Sequence, residues 1–395
     1  MRRILIVNNN MHIGGVQKAL LNLLNEIRTD YDVTLLLFYK GGELLNEIPA
    51  EIKVVTPAAP FLYWGMAGHD AKSPWERLGR CFWAGVTRVF GRPFSIRIAS
   101  LFQKRLRGFD VAVSFLHSGP DRMFYGGCNE FVLRRVEARR KVTFLHCDYG
   151  EIRAASKAHE RIYRQFDAIA ACSAGCRQAF LKVVPQFADK TVVVPNCQNY
   201  GTIKRMARET PVNLDRDRLN IVTVARFGRE KGILRALRAV AELHAQRGRF
   251  RYYIIGDGAE YPEAKRILSE LGLTDTVFLL GAMENPYGYM AAADVLLIPS
   301  VSEAAPMVIH EAACLGTPIL TTETSSAVEM VEQTGFGWVC PNTQDGIRRG
   351  IEMLLENPRL IRETRRHLDN ARFDNAEAVQ NFSELVHGYD QINPV

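Results

Sequence analysis

Two doubly wound α/β domains in tandem are the architecture that this 395-residue sequence predicts, and three observations carry the prediction. Short, continuously apolar, β-branched runs alternate with stretches of helical periodicity, the pattern of parallel strands covered on both faces. The alternation stops at a polar stretch, residues 196–218, and then begins again. At about 150 residues per domain, the length suits two or three domains, each able to bury its own core.

The first series reads ILIV (4–7), VTLLLF (33–38), IKVV (52–55), VAVSFL (111–116), VTFL (142–145), AIAAC (168–172) and TVVV (191–194). Gly14 and Gly15 lead straight from the first run into a helix, because Val16, Ala19, Leu20, Leu23, Leu24 and Ile27 repeat at helical spacing. The second series reads LNIVTVA (219–225), RYYIIG (251–256), VFLL (277–280), DVLLI (294–298), PILTT (318–322) and GWVC (337–340). Asp374 with Glu377 predicts an N-cap and its capping-box partner. The helix they open would carry Val379, Phe382, Val386 and Tyr389 on one stripe. The predicted organisation is a first domain over 1–198, a second over 199–375, and a final helix over 376–395. Ligands are expected at the carboxyl ends of both sheets, and chemistry in a cleft between the domains.

Composition excludes other classes. Apolar residues make up 47% and charged residues 24%, ordinary globular usage, which rules out disorder or fibre for the chain as a whole. The opening MRRILIVNNN has too short an apolar run for a signal peptide, and nothing later approaches the roughly 18 apolar residues of a membrane span. A cytoplasmic location is therefore expected. The eight Cys are scattered, with no C-x-x-C pair and no zinc spacing, so reduced and mostly buried thiols are expected.

The net charge of +7 is concentrated. Residues 61–108 hold nine Lys/Arg, including Lys72, Arg77, Arg88, Arg92, Arg97 and Lys104, against Asp70 and Glu76. The same segment carries nine aromatics, among them Trp64, Trp75 and Trp83. Rings interleaved with cations suit an anionic membrane surface. The competing reading is a helical insertion packed on the core with a solvated basic face. A nucleic-acid partner is not expected, because there is no zinc finger, RRM signature or continuous basic helix.

The segment SVSEAAPMVIHEAACLGTPIL (300–320) is the most informative for chemistry. Glu303 falls in the loop after a strand, Pro306 suits a first helical position, and the helix would end near Gly316. Unpaired amides over Ala304, Ala305, Pro306 and Met307 would then form an anion site beside a carboxylate able to hold sugar hydroxyls. Glu311, inside the helix, offers two oxygens to the vicinal hydroxyls of a ribose. The plain alternative is that Glu303 only caps the helix and Glu311 only pairs with a cation. In VTVARFGREKG (222–232), Arg226 ends a strand and Lys231 precedes a helix. Two fixed cations at a sheet's carboxyl edge suit a diphosphate, although Arg229 and Glu230 could pair simply as surface charges. His146 and His117 each close a strand of the first sheet, and Asp148 is a candidate to orient or charge His146. Asp215-Arg216-Asp217 matches the short D-x-D pattern of metal sites, but it precedes a strand instead of following one.

Taken in order, several features resemble retaining glycosyltransferase family 4 with the GT-B fold, two Rossmann-like domains facing across a cleft. They are Gly14-Gly15, His146 closing a strand, SAGCRQAF and VVVPN ending the first half, R-x4-K-G at 226–232, GDG at 256–258, and Glu303 with Glu311. The resemblance spans nearly the whole chain and is weakest over 58–110. It implies that Arg226 and Lys231 bind and neutralise the donor diphosphate, that Glu303 holds the donor sugar and Glu311 the ribose. It also implies that the Gly14-Gly15 loop closes over phosphates and acceptor, that His146 lies near the reacting sugar, and that the last helix crosses back to the first domain. Ala304 stands where many members have glycine.

The expected function is retaining, metal-independent transfer of a sugar from a nucleoside-diphosphate sugar to a glycan or lipid-linked acceptor, with no cofactor, at the inner face of the membrane. One alternative is a dinucleotide-dependent oxidoreductase, which would need the G-x-G-x-x-G fingerprint that neither half carries. The other is a catalytically silent binding subunit of the same fold.

Overall fold

The computed structural model describes residues 1–150, 157–243 and 248–388. The chain divides into two compact units, Met1–Cys197 with Asn375–Val395, and Gln198–Asp374. The first unit holds a seven-stranded parallel sheet in the order β3-β2-β1-β4-β5-β6-β7. Its strands are β1 (Arg3–Asn8), β2 (Asp32–Leu37), β3 (Lys53–Val55), β4 (Leu106–Ser114), β5 (Val136–Leu145), β6 (Ala168–Ala171) and β7 (Thr191–Val193). The second holds six parallel strands in the order β10-β9-β8-β11-β12-β13. These are β8 (Leu219–Val224), β9 (Phe250–Ile255), β10 (Val277–Gly281), β11 (Val295–Ile298), β12 (Ile319–Thr322) and β13 (Gly337–Cys340). Each of these strands contains an apolar run, as expected where helices cover both faces, while β4 and β5 also extend back over LRGFD and VEARRK, which are mostly half-buried or exposed.

In the second unit the two faces are separable residue by residue. Ile221, Ile254, Leu297 and Leu320 join one buried cluster, while their neighbours Val222, Ile255, Leu296 and Ile319 join another. That alternation is the two-residue period of a strand with a core on each side. In both units the strand order reverses at the first strand. The loops after β1 and β4, and those after β8 and β11, therefore part at the sheet's carboxyl edge and leave a crevice there.

The final helix, Ala376–His387, packs on the first unit. Arg140 Nε donates to Leu385 O at 2.8 Å, Tyr31 Oη donates to Ser383 Oγ at 3.2 Å, and Phe382 is fully buried. Its N-cap is Asn375, not Asp374. Asp374 pairs with Arg372 at 2.8 Å, and the Asn375 amide donates to Glu26. The buried stripe is Ala378, Phe382, Leu385 and Val386; Val379 is only half-buried and Tyr389 lies outside the described residues.

The segment 61–108 folds as helices Ala59–Gly65, Pro74–Phe90 and Arg92–Ala99 with short 3-10 turns. Two expectations about it are corrected. Trp64 and Trp83 are core residues with ring centroids 5.0 Å apart, so neither ring is available to a surface. Arg92 is likewise no surface cation: it is wholly buried and paired with Glu130 at 2.9 Å. Composition counts a charge without knowing which way it points. The Cys are free thiols, with Cys81 exposed, Cys147 half-buried and the other six buried. Among the described residues, no helix is long and apolar enough to cross a membrane.

Candidate active site

The most concentrated chemistry of the second unit lies where its strand order reverses. Arg226 and Lys231 follow β8, and Glu303 follows its neighbour β11. Lys231 Nζ donates to Glu303 Oε1 at 2.6 Å, and Ser300 Oγ donates to the same oxygen at 2.7 Å. Glu303 is therefore a fixed, doubly bonded carboxylate, and it does not cap the following helix. Arg226 leans on Glu230 at 2.7 Å with its guanidinium mostly exposed.

Local backbone explains why these groups meet. Gly232 has φ +66°, and a Cβ there would sit 2.0 Å from Pro299 O, so only glycine lets the Lys231 turn press against the end of β11. Gly256 of the GDG run does the same for the neighbouring loop, where a Cβ would sit 1.9 Å from Ala225 O.

A third cation, which the sequence reading missed, fastens the Glu303 loop. Arg235 Nη2 donates to Pro299 O and Ser300 O, both at 2.8 Å, and to Asn342 Oδ1 at 2.6 Å. Asn342 Nδ2 in turn donates to Val301 O at 2.9 Å. Ser325 Oγ donates to Glu303 O at 2.7 Å. Arg235 lies in the first turn of the following helix, Ile233–Ala241, and nothing in its sequence neighbourhood marks the distant carbonyls it binds.

The helix after Glu303 runs Met307–Ala313, with Pro306 at the N-cap instead of the first helical position. Pro306 has no N–H to give, so any row of amides over 304–307 is interrupted there, and Ala304 and Ala305 each have an interaction within the chain. Glu311 is buried in that helix and accepts from Tyr287 Oη at 3.4 Å. Asp215 and Asp217 form a turn into β8: Asp215 accepts from the Asp217 amide at 3.1 Å and pairs with Arg218 at 3.3 Å.

At the carboxyl edge of the first sheet, His117 and His146 stand three residues beyond Ser114 and Thr143, which are register partners on β4 and β5. The two histidines are therefore neighbours. Burial, and then the charge of His117, push His146 down to about 3. Burial, followed by Arg92 and His159, pushes His117 down to about 4. Asp148 does not charge His146; its Oδ1 accepts from Gly150 N at 3.1 Å. The His146 ring lies 4.8 Å from Phe115 and 5.6 Å from Phe144, stacked nearly parallel to the latter. His146 Nε2 and His117 Nδ1 are shielded from solvent and have no hydrogen-bond partner among the described residues. Two neutral rings with an unmatched nitrogen apiece can bind hydroxyl groups by hydrogen bond.

Gly14 and Gly15 open the helix Gly15–Ile27 after β1. The loop ahead of them is pinned to the 61–108 segment, with Asn9 Nδ2 donating to Trp64 O at 3.1 Å and Asn10 Nδ2 to Gly65 O at 2.6 Å. His12 stands between two carboxylates, 2.9 Å from Asp70 and 3.3 Å from Glu43. His69 and the Tyr39 ring also face it. His12, His69 and Asp70 bring one ligand-type atom each to within 4.8 Å of one another, but Asp70 and Glu43 already hold both nitrogens of His12.

Burial opposes the charge on His12, yet the hydrogen bond and charge of Asp70, then of Glu43, outweigh it and raise its pKa. A raised folded-state pKa stabilises below the unfolded value of about 6.5, and the benefit is lost as pH rises through the folded value. His12→Gln should therefore cost a few tenths to about 1 kcal/mol in acid. Urea unfolding of both chains across pH should show the difference vanish on the alkaline side.

Residues 207–373, all within the second unit, match the family model described as glycosyl transferases group 1. The amylovoran biosynthesis glycosyltransferase AmsK of Erwinia amylovora is 34% identical over 131 residues, 31% of this chain and 32% of that protein. An N-acetylgalactosaminyltransferase of Campylobacter jejuni, whose name specifies a diphospho-undecaprenol acceptor, is 30% identical over 142 residues, 35% of this chain and 38% of its own. The chain thus spans about a third of the length of these curated relatives. Among solved structures, Anabaena HepE in complex with UDP-glucose superposes with TM-score 0.67 at 17% identity, covering 98% of this chain and 100% of that one. WaaG, a glycosyltransferase of lipopolysaccharide biosynthesis, gives 0.64 at 15% identity with the same coverage. The fold is GT-B, two Rossmann-like units. Neither the oxidoreductase nor the silent-subunit alternative is favoured by these likenesses.

Proposed function

We propose that the chain is a retaining, metal-independent glycosyltransferase of family 4 that moves a sugar from a nucleoside-diphosphate sugar to a glycan or lipid-linked acceptor at the cytoplasmic face of the membrane. The observation that carries the reading is the contact of Lys231 with Glu303 where the second sheet reverses its strand order. An ammonium has three donors, and Glu303 takes one. In this reading the others serve the donor's phosphate oxygens.

In this reading, Lys231 and the exposed fork of Arg226 receive the donor diphosphate. Glu303 orients the donor sugar beside the 304–307 turn, and buried Glu311 accepts from ribose hydroxyls. Breaking the bond from the anomeric carbon to phosphate oxygen leaves its electron pair on the diphosphate. Fixed cations stabilise that charge where it forms, so no metal is called for. His146 and the Gly14-Gly15 loop serve the reacting sugar and acceptor from the first unit, with His146 as a neutral hydrogen-bond partner and not a cation. The names of the glycan-building relatives support the acceptor class.

The test is donor turnover in excess EDTA with the product's anomeric configuration read by NMR. Turnover should persist and the product keep the donor's configuration. Inversion, or loss of turnover on chelation, would overturn the proposal.

A further inference from the structure

The helix Pro74–Phe90 turns an apolar stripe to solvent. Its inward side is fixed by Trp83, which packs on Trp64, and by Thr87, which shares a 2.9 Å hydrogen bond with Ser95. Trp75, Leu78, Phe82 and Val89 follow at spacings of 3, 4 and 7, one helical stripe, and are 79%, 61%, 61% and 65% exposed. Phe90 carries the patch onto the next helix through Phe94, with rings 5.2 Å apart. Exposed Leu101 and Phe102 follow beyond that helix. So many large apolar groups in one segment, rimmed by charge, mark a docking surface.

The charge identifies the occupant. Arg77, Arg88, Arg97 and Lys104 are exposed in this segment, while both of its acids are used internally. Asp70 is held by His12, and Glu76 accepts from the Ser73 and Lys72 amides at the start of the helix. The segment is thus apolar and cationic with no exposed acid of its own, although its Arg105 and Arg107 are paired with exposed Glu137 of β5. A protein partner would have to be matched residue by residue, whereas an anionic bilayer needs only headgroup charge and an acyl boundary.

We propose that the outer face of Pro74–Phe90, with Phe94, Leu101 and Phe102, seats the protein on an anionic lipid surface. The seat is fastened to the loop after β1 by the Trp64, Gly65 and Asp70 contacts with Asn9, Asn10 and His12. Docking on lipid therefore orients the Gly14-Gly15 loop with respect to the bilayer. This goes beyond the transferase reading, since vesicle binding needs neither donor nor transfer, and its failure would leave the sugar-transfer chemistry of that reading standing while removing its membrane location.

The experiment is co-sedimentation of the full chain with vesicles of phosphatidylcholine mixed with phosphatidylglycerol, against phosphatidylcholine alone, at low and high salt. Binding should require the anionic lipid and weaken in salt. It should fall about tenfold or more in Leu78→Asp/Phe82→Asp and likewise in Arg77→Ser/Arg88→Ser/Arg97→Ser, with circular dichroism unchanged. Brominated lipid should quench fluorescence in the parent, and Trp75→Phe should remove that quenching. Equal binding to neutral vesicles, or undiminished binding in both variants, would overturn the proposal. So would absence of vesicle binding together with a concentration-dependent dimer that Phe82→Asp dissociates, which would assign the face to a second copy of the chain.

Discussion

Lys231→Ala is expected to lower the turnover number for sugar transfer by about a hundred- to a thousandfold, with the far-ultraviolet circular dichroism preserved. The magnitude follows from where the charge sits. Lys231 is held at 2.6 Å by Glu303, and its turn is pressed onto Pro299 by a left-handed Gly232. In the proposed reaction the ammonium would therefore be in place before negative charge appears on the diphosphate, and little reorganisation would be needed as it forms. Surroundings that survive the substitution should keep the loop folded, because Ser300 and Ser325 still hold Glu303 and Arg235 still grips Pro299 and Ser300. Steady-state kinetics on the parent, Lys231→Ala and Glu303→Gln separate two roles. If the pair is merely a staple, the unfolding midpoint drops while activity per folded molecule stays the same.

Glu130→Ala is expected to cost about 3–5 kcal/mol of stability, the largest loss foreseen for a position remote from the proposed donor site. Arg92 is wholly buried and pairs with Glu130 at 2.9 Å, and the charge of Asp121 acts on it more weakly. Gly119 O at 2.9 Å and the more distant Pro120 and Tyr125 carbonyls remain. Carbonyl dipoles do not neutralise a guanidinium, so truncation leaves a buried charge offset only by the weaker influence of Asp121. Replacing both partners by apolar residues of similar volume, as in Arg92→Met/Glu130→Leu, should recover much of the loss. Urea unfolding followed by circular dichroism measures both variants. A loss below about 1 kcal/mol in Glu130→Ala would show that the pair is not what ties Arg92–Ala99 to the helix Cys128–Arg135.

How far the sequence was readable depended on how local each determinant is. The buried parts of the described strands were visible because a parallel strand buried on both faces needs no polar residue, so β11 is simply VLLI and β12 begins with IL; the charged beginnings of β4 and β5 were not. Lys231 and Glu303 were legible because each is placed by chain position just beyond a strand. Arg235 was not. Its role depends on carbonyls 64, 65 and 107 residues away in sequence, and nothing in its own neighbourhood marks them. His12 with Asp70, 58 residues apart, was hidden for the same reason.

Proximity in sequence also misled. Asp148 stands two residues from His146, yet an Asp side chain readily folds back on the amide two residues ahead, and it takes Gly150 N instead. Pro306 and Asp374 each missed a helix boundary by one residue, the ordinary looseness of helix ends. Charge counting over 61–108 could not show that Arg92 points inward, nor that Trp75 and not Trp64 or Trp83 faces outward.

The central claim is that the carboxyl edge of the second sheet, around Lys231 and Glu303, receives a nucleoside diphosphate. Isothermal calorimetry of the parent and Lys231→Ala against UDP, GDP, ADP and dTDP tests it most directly. One nucleotide should bind the parent in EDTA with a defined stoichiometry, and the variant should bind it at least about tenfold more weakly. Equal affinity in the two chains, or no binding of any of the four, would contradict the account.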